Sequence, residues 1–467
     1  MFINRVLETV NKFSMINTGD SILIALSGGA DSSAITVFLA EIRQQYSLNL
    51  HAVYINHQLR PKEIDEEISH SKRLCESLDI NFTEGTIDVK GYCKKHNISL
   101  QEGARQLRYE YLNTKSEELT CGKIAIAHNA DDQAETVLMR LIRGTGVSGL
   151  AGIPPKRGKI IRPFIETSRV EIEDYLISKV ESLNLDKNKP FIMDSSNLKD
   201  DYLRNKIRLQ LMTEIKKINK DFINIIKRTT DIIRDEERYF DILVTKSLMK
   251  MISRKGEGYI ELFWQPMESM DRAILRRLIR RAVDEVKDLK SISFINIEDI
   301  IDLIKKGKSG ARIYINKDMR VIKGYSTLKI TTLKTISIEQ QTISSEGQFA
   351  IREASLVMDI SLCSKDDCNF IEEPRQVVLI DADKAKFPLV IRARKAGDYF
   401  YPLGFGKRKK IQDFFVDEKI PRDERDVVPL LANEKDIIWI AGYRLDDRYK
   451  VDKDTKRVLK CLIRPLK

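Results

Sequence analysis

Cysteine is scarce in this 467-residue chain: there are six, at 75, 93, 121, 363, 368 and 461, and no C-x-x-C pair. That scarcity excludes a disulfide framework and a zinc ribbon, and it points to a reducing compartment, the cytoplasm. Cys363 and Cys368 have no second Cys/His pair nearby at ligand spacing, which argues against a metal site there. Long apolar runs are also missing. No stretch approaches ~18 consecutive apolar residues, so no membrane span is expected. The N-terminus lacks an apolar run followed by a small-residue cleavage site; Phe2, Val6, Val10 and Phe13 instead recur at helical spacing. That reads as a short amphipathic helix and not as a signal peptide. Internal repeats and low-complexity tails are absent too. A hydrophobic content of 42% excludes a disordered chain. Charge is what the chain has in plenty: 80 Lys+Arg against 69 Asp+Glu, a net +11. The excess fits a polyanionic partner, although spread evenly it would mean little.

At about 150 residues per domain the length predicts roughly three domains. Between 21 and 140 short apolar runs, SILIAL (21–26), LHAVYIN (50–56), INFTEGTI (80–87) and KIAIA (123–127), alternate with helical patterns near 32–46, 62–78, 99–118 and 130–141. This alternation predicts a parallel sheet covered by helices, with ligands at the carboxyl ends of its strands. After GIPPKRGK (152–159) come helical stretches near 168–179 and 203–218, then a mostly helical region over 219–305. From 311 β-type runs dominate (ARIYI, MRVIKGY, TLKITTL, TISIEQQ). The last 80 or so residues, with VVLID, LVIRAR, DIIWIAGYR and RVLKCLI, read as a small α+β module.

The loop after the first strand is Ser27-Gly28-Gly29-Ala30-Asp31-Ser32-Ser33. Paired glycines let the backbone turn tightly with its N–H groups facing a ligand, and the following helix N-terminus favours an anion. Three serines add hydroxyl donors. Asp31 would repel a bare phosphate, so it makes sense beside a Mg²⁺ that bridges to phosphates. The alternative is an ordinary strand-to-helix turn with a capping Asp. Gly307-Lys308-Ser309 resembles the end of a Walker A loop, but Asp302 stands at its first glycine position, so it reads as a basic turn.

Other strand ends carry chemistry as well. Asn56, His57 and Arg60 follow the second strand. Arg105 and Arg108, three apart on a helix, suit a phosphate or a developing pyrophosphate charge; two solvated surface arginines are the plainer alternative. After the fourth strand, His128-Asn129-Ala130-Asp131-Asp132-Gln133-Ala134-Glu135 opens a helix that starts near Asp131, whose plain reading is a cap. Asp132 and Glu135 then share a face with His128 just before it, an acid/base and cation-binding cluster. Arg143-Gly144-Thr145-Gly146 follows. Asp194-Ser195-Ser196-Asn197 reads as a turn and Arg204-Asn205-Lys206-Ile207-Arg208 as the start of a basic helix. Arg276 and Arg280, four apart like Arg277 and Arg281, make two neighbouring helix faces basic, and Lys407, Arg408, Lys409 and Lys410 form a second run. Both clusters are candidates for RNA phosphates, with a solvated surface as the alternative.

The loop S-G-G-A-D-S resembles the motif of the N-type ATP pyrophosphatase, or PP-loop, superfamily. In order, N-H-Q-L-R, A-R-Q-L-R-Y, H-N-A-D-D-Q-A-E-T, R-G-T-G, D-S-S-N and R-N-K-I-R, with Arg394–Asp398, Pro402–Gly404, Lys409–Asp413 and Trp439–Gly442 near the end, are similar to the bacterial tRNA(Ile)-lysidine synthetase family. The resemblance covers about the first 210 residues and the C-terminal module; 219–380 match only in general character. It implies an α/β, parallel-sheet PP-loop domain (1–212), a mainly helical tRNA-binding domain (213–335), a linker or β segment (336–380) and a small α+β tRNA-recognition domain (381–467). It implies ATP and Mg²⁺, free L-lysine, and tRNA(Ile) with a CAU anticodon, and leaves a homodimer open. Lysine would be ligated to carbon 2 of the wobble cytidine after adenylation, changing the codon read from AUG to AUA. On this resemblance Ser27, Gly28, Gly29, Ala30, Asp31, Ser32, Ser33, Asn56 and His57 hold ATP and Asp31 holds Mg²⁺. Asp31, Arg108, His128, Asp132 and Glu135 are catalytic. Arg105, Arg143, Arg204, Arg208, Arg276, Arg280 and Lys407–Lys410 contact tRNA. Three rivals remain: a tRNA-thiolating relative, which needs reactive cysteines; an amidating synthetase, which needs a glutaminase domain; and a non-catalytic RNA-binding relative, which predicts loss of Asp31, Asp132 or Glu135.

Overall fold

The computed structural model describes all residues except 1, 60, 184–189, 193–202, 288–291, 317, 365–374 and 467, and the side chains of 61–63. Arg60, Asp194–Asn197 and Cys368 therefore lie outside the described residues. The chain divides into two compact units, Met1–Tyr239 and Phe240–Lys467.

The first unit runs α1 (Phe2–Lys12), β1 (Ser21–Ala25), α2 (Ala30–Glu41), α3 (Arg43–Tyr46), β2 (Asn49–Asn56), α4 (Pro61–Ser77), β3 (Asn81–Thr86), α5 (Val89–His96), α6 (Leu100–Glu118), β4 (Lys123–Ala125), α7 (Ala130–Arg143), α8 (Val147–Leu150), β5 (Lys156–Arg157), β6 (Ile160–Ile161) and α9 (Arg169–Lys179). Then come α10 (Leu203–Lys206), a π-helical turn Ile207–Leu211, α11 (Met212–Ile218) and α12 (Phe222–Met251), whose last turns from Phe240 onward belong to the second unit. The sheet order is β3-β2-β1-β4-β6-β5, parallel except for β5. The central strand β1 is buried on both faces. Ile22 and Ile24 join one core with Phe38, Phe164 and Leu176, while Leu23 joins the other with Val53, Leu112 and Ile124. A continuous apolar run is what such a strand requires. The chain leaves β1 toward β2 on one side and returns as β4 on the other. The switch point therefore lies between β1 and β4, where a crevice opens at the carboxyl edge.

In the second unit, the sheet Ile252–Gly256, Tyr259–Phe263, Thr327–Thr331, Arg320–Lys323, Arg312–Tyr314 shares a core with helices Arg272–Asp284 and Phe294–Lys306. The hairpin 252–263 falls inside the stretch read as mostly helical. Gly258, with φ +74°, makes its turn, and Ile260 and Leu262 alternate into the core. A second core gathers Ile343, Met358, Leu389, Trp439 and Leu459 between a five-stranded and a four-stranded antiparallel sheet. TISIEQQ is extended chain and not a strand until Gln341 begins Gln341–Ile343; Ile338 is buried, and its N–H bonds Asp426 O, outside any ladder. Gly307-Lys308-Ser309 is the turn that ends the helix Phe294–Lys306.

Candidate active site

The Gly-Gly loop leaves β1 and enters α2. Gly28 has φ +77°, a left-handed conformation that strains any residue with a Cβ, so glycine is favoured there. Gly29 is the N-cap residue, with extended backbone and room around it. Ser32 Oγ accepts from Ser27 N (3.1 Å), donates to Gly29 O (3.0 Å) and lies 3.1 Å from Ser27 Oγ, which pins the loop. Ser33 Oγ is buried and makes no hydrogen bond.

Asn129, extended and buried, caps α7, and its side chain joins the two strands' loops. Its Oδ1 accepts from Asp132 N (2.9 Å), and its Nδ2 donates to Asp31 Oδ1 (3.0 Å). Asp132 Oδ2 returns the bond from Asn129 N (3.1 Å), a closed capping box. The cap is thus Asn129 and not Asp131, because α7 begins one residue earlier than expected. Asp131 instead accepts from Arg169 N (2.9 Å) and pairs with Lys216 (2.8 Å).

Asp132 and Glu135 do share a face, and both are buried. Arg204 reaches Asp132 (2.6 Å) and Glu135 (2.9 Å); Arg208 reaches Glu135 (2.5 Å) and Asp132 (3.2 Å). These two arginines, read from the sequence as RNA contacts, lie on the carboxylates because Ile207 between them is buried against Ala130 and Ala134 of α7. The π-helical turn begins at this residue, and such turns concentrate at functional sites. A cavity of about 150 Å³ is lined by Asn129, Asp131, Glu135, Arg169, Arg208, Met212 and Lys216.

The local fields separate the acids. Burial, then the charge of Asp132, raise Asp31 to about 6. Burial pushes Asp132 the same way, but Arg204, His128, Arg208 and the Asn129 N–H outweigh it and hold Asp132 below its ordinary value. His128 is lowered to about 3, by burial first and by Arg162, Arg204 and Arg108 against the pull of Asp132. Geometry agrees: Arg162 Nε donates to His128 Nδ1 (3.1 Å). A ring nitrogen that accepts from a guanidinium is unprotonated, so the imidazole is neutral with its hydrogen on Nε2.

Sequence reasoning missed Arg162 and Arg169. Arg162 is 2% exposed and also donates to Pro154 O (2.7 Å). Its signal was its place immediately after the two-residue strand Ile160–Ile161. Asn56 Oδ1 accepts from Gln58 N (2.8 Å) and so is spent on a turn; His57 is half-buried beside it. Arg108 is half-buried, while Arg105 and Arg143 are exposed. In the second unit Arg276 is neutralised by Glu298 (2.6 Å), whereas Arg280 is exposed without a partner among the described residues. Lys409 pairs with Asp417; Lys407, Arg408 and Lys410 are exposed, Arg408 stacking 5.1 Å over Tyr399.

No group of three or more His, Cys, Asp or Glu among the described residues forms a metal cage. Asp31 alone fits a Mg²⁺ that keeps most of its ligands from water and phosphates. The described cysteines are buried or half-buried, and Cys75, Cys93, Cys121 and Cys461 form no disulfide; burial raises Cys121 and Cys461 and takes Cys75 to about 12, the opposite of a reactive thiol. No helix among the described residues is long and apolar enough to cross a membrane.

A Gly-Gly anion loop facing a carboxylate cluster across a switch point matches a known class: residues 2–215 fit the PP-loop domain family, and 389–461 fit the TilS substrate C-terminal domain. This is a PP-loop protein. Its relatives span the whole chain. It is 36% identical over 476 residues to the tRNA(Ile)-lysidine synthase of Clostridium tetani (99% of this chain, 98% of that one), 35% to that of Caldanaerobacter subterraneus (98% and 96%) and 34% to that of Clostridium acetobutylicum (99% and 99%). The chain belongs to the tRNA(Ile)-lysidine synthase family. Among solved structures, the U34-tRNA thiolase NcsA of Methanococcus maripaludis superposes at a TM-score of 0.40, with 23% identity over 50% of this chain and 79% of that one, a likeness too weak to build on.

Proposed function

We propose that this chain ligates free L-lysine to carbon 2 of the wobble cytidine of tRNA(Ile) with the CAU anticodon, in the cytoplasm, using ATP and Mg²⁺. The reading is carried by one observation: Asp31, Asp132 and Glu135, with a neutral His128, converge at the carboxyl edge beside the S-G-G-A-D-S loop. The unit 1–212 is the adenylating part, and 213–335 and 381–467 select the tRNA.

In the first step the cytidine O2 attacks the α-phosphorus and pyrophosphate leaves. Attack on an anion needs charge neutralisation and positioning. The backbone of Gly28–Ala30 and the hydroxyls of Ser27, Ser32 and Ser33 cradle phosphates and Arg108 offsets the polyphosphate charge, while Asp31 would hold Mg²⁺, which would supply further charge neutralisation. An anticodon-loop cytidine is unpaired and enters a pocket without breaking a duplex. In the second step the lysine ammonium gives up a proton to a carboxylate of the site, the freed ε-amine attacks carbon 2, and AMP leaves. Asp132 and Glu135 hold the incoming ammonium. Arg204 and Arg208 now occupy that place, so lysine must displace at least one of them. His128 serves as an Nε2–H donor toward the nucleotide and not as a base, because Arg162 occupies Nδ1.

The test is an omission series. Pyrophosphate release should require ATP and the tRNA, and net ligation should require lysine as well. Alanine at Asp31, Asp132 or Glu135 should abolish ligation with tRNA still bound. Wild-type turnover in any of the three contradicts the assignment.

A further inference from the structure

Tyr109, on α6, is ringed by guanidiniums. Arg157 Cζ lies 5.2 Å from the ring centroid, Arg105 Cζ 5.4 Å and Arg108 Cζ 5.9 Å, while Arg162 Nη2 is 3.5 Å from the hydroxyl. Arg140, whose Nη1 is fixed by Gly149 O (2.7 Å) and Gly152 O (2.8 Å), is close enough to feel the charge of Arg105. None of the five is paired with a carboxylate among the described residues. Burial, and after it neighbouring guanidiniums, hold Arg108, Arg140 and Arg162 below their ordinary values, and the surrounding arginines outweigh burial to draw Tyr109 down. Four like charges around one ring, with Arg140 as a fifth near Arg105, repel one another, and an anion relieves that repulsion.

The chemistry of the ring narrows the anion. Arg105 and Arg157 are exposed and come from different elements, α6 and β5, so the positive charge is spread outward around the tyrosine and is not focused into one pocket. An aromatic face between cations suits a nucleic-acid strand, whose phosphates take the guanidiniums and whose bases have an apolar face to offer. An inorganic anion has no use for the ring. Arg162 bonds both the Tyr109 hydroxyl and His128, so the ring is continuous with the reacting centre.

We propose that the Tyr109 ring, with Arg157 and Arg105 as its outer contacts, docks the phosphodiester backbone of the RNA strand that flanks the target nucleotide. The inference rests on RNA being the substrate, as proposed above. It adds a binding residue, Arg157, that no motif marks.

The experiment uses the full chain, an unmodified tRNA(Ile) transcript with the CAU anticodon, and binding measured over a salt series. Arg157→Gln should lower the slope of log affinity against log salt by about one, and Arg105→Gln/Arg157→Gln by about two, because each lost phosphate contact releases about one fewer counterion. Lys95→Gln, an exposed charge on α5, should leave the slope at the wild-type value. Affinity for ATP and for inorganic pyrophosphate should not change in Arg157→Gln or in Lys95→Gln. Both arginines are exposed, so the variants should melt like wild type. Three results overturn the proposal: a double variant with the wild-type slope, a Lys95→Gln slope that falls as far as that of Arg157→Gln, or a loss of pyrophosphate affinity with RNA affinity intact. Any of these, in an enzyme that still makes lysidine, fails this inference and leaves the function standing; a wild-type chain that does not bind the transcript fails both.

Discussion

Asp31→Asn should make the first unit more stable while ending its chemistry. Asp31 sits half-buried in the first turn of α2, 3.0 Å from Asn129 Nδ2, with its pKa moved from 3.8 to about 6 by burial and then by Asp132. An acid whose folded pKa lies above its unfolded value costs nothing below about 3.8, where both states carry the proton. The cost grows as pH rises through the window and is complete above about 6. A shift of roughly two units at ~1.4 kcal/mol per unit sets a ceiling near ~3 kcal/mol, and partial access of water trims it to about 2. Asparagine keeps an oxygen to accept from Asn129 and has no charge to bury. For a unit of this size ~2 kcal/mol corresponds to about 4–8 °C in melting temperature. Calorimetry at pH 7.5 with chelator should show that gain, and the gap should shrink as pH falls toward 4. Mg²⁺ with ATP should stabilise wild type and not the variant, since the cation relieves the same repulsion. A variant no more stable than wild type at pH 7.5, or a gap that widens in acid, refutes the reasoning.

Glu135→Gln should abolish ligation and lower stability by ~1–2 kcal/mol, less than a fully buried pair because Arg204 and Arg208 keep some solvent; thermal melts and a lysine-incorporation assay check it. Arg162→Gln should let the His128 pKa rise by about one unit from about 3, yet stay below 6.5, because burial is the larger cause; histidine NMR titration, with only five imidazoles to assign, reads it directly. An unchanged titration there contradicts the proposed role of Arg162. Arg280→Gln should reduce the salt slope of tRNA binding by about one, while Arg276→Gln, already neutralised by Glu298, should change it little. Equal effects would mean that the ion pair opens on binding.

The first unit was legible because its strands are apolar runs followed at once by chemistry. The continuous apolar runs and the glycines after Leu26 mark both the sheet and the loop. The position of His128, Asp132 and Glu135 on one edge follows from strand–helix alternation alone. What the pattern could not give was the partner of each charge. Arg204 and Arg208 look like an RNA-binding helix in one dimension, and only the burial of Ile207 against α7 turns them onto the carboxylates. Asn129 was hidden by its neighbours Asp131 and Asp132, which have the same capping preference. Arg162 follows a two-residue strand, too short to announce itself by periodicity. The hairpin at 252–263 was lost for a similar reason, since short apolar runs fit helix and strand alike.

The central claim is that lysine and cytidine are joined at this edge. Its most direct test is mass spectrometry of the anticodon fragment of tRNA(Ile) after incubation with the chain, ATP, Mg²⁺ and L-lysine. The wobble cytidine should gain the mass of one lysine less one water, with AMP formed in equal amount and no gain when any one component is left out. An unmodified cytidine, or a mass gain of sulfur in place of lysine, contradicts it.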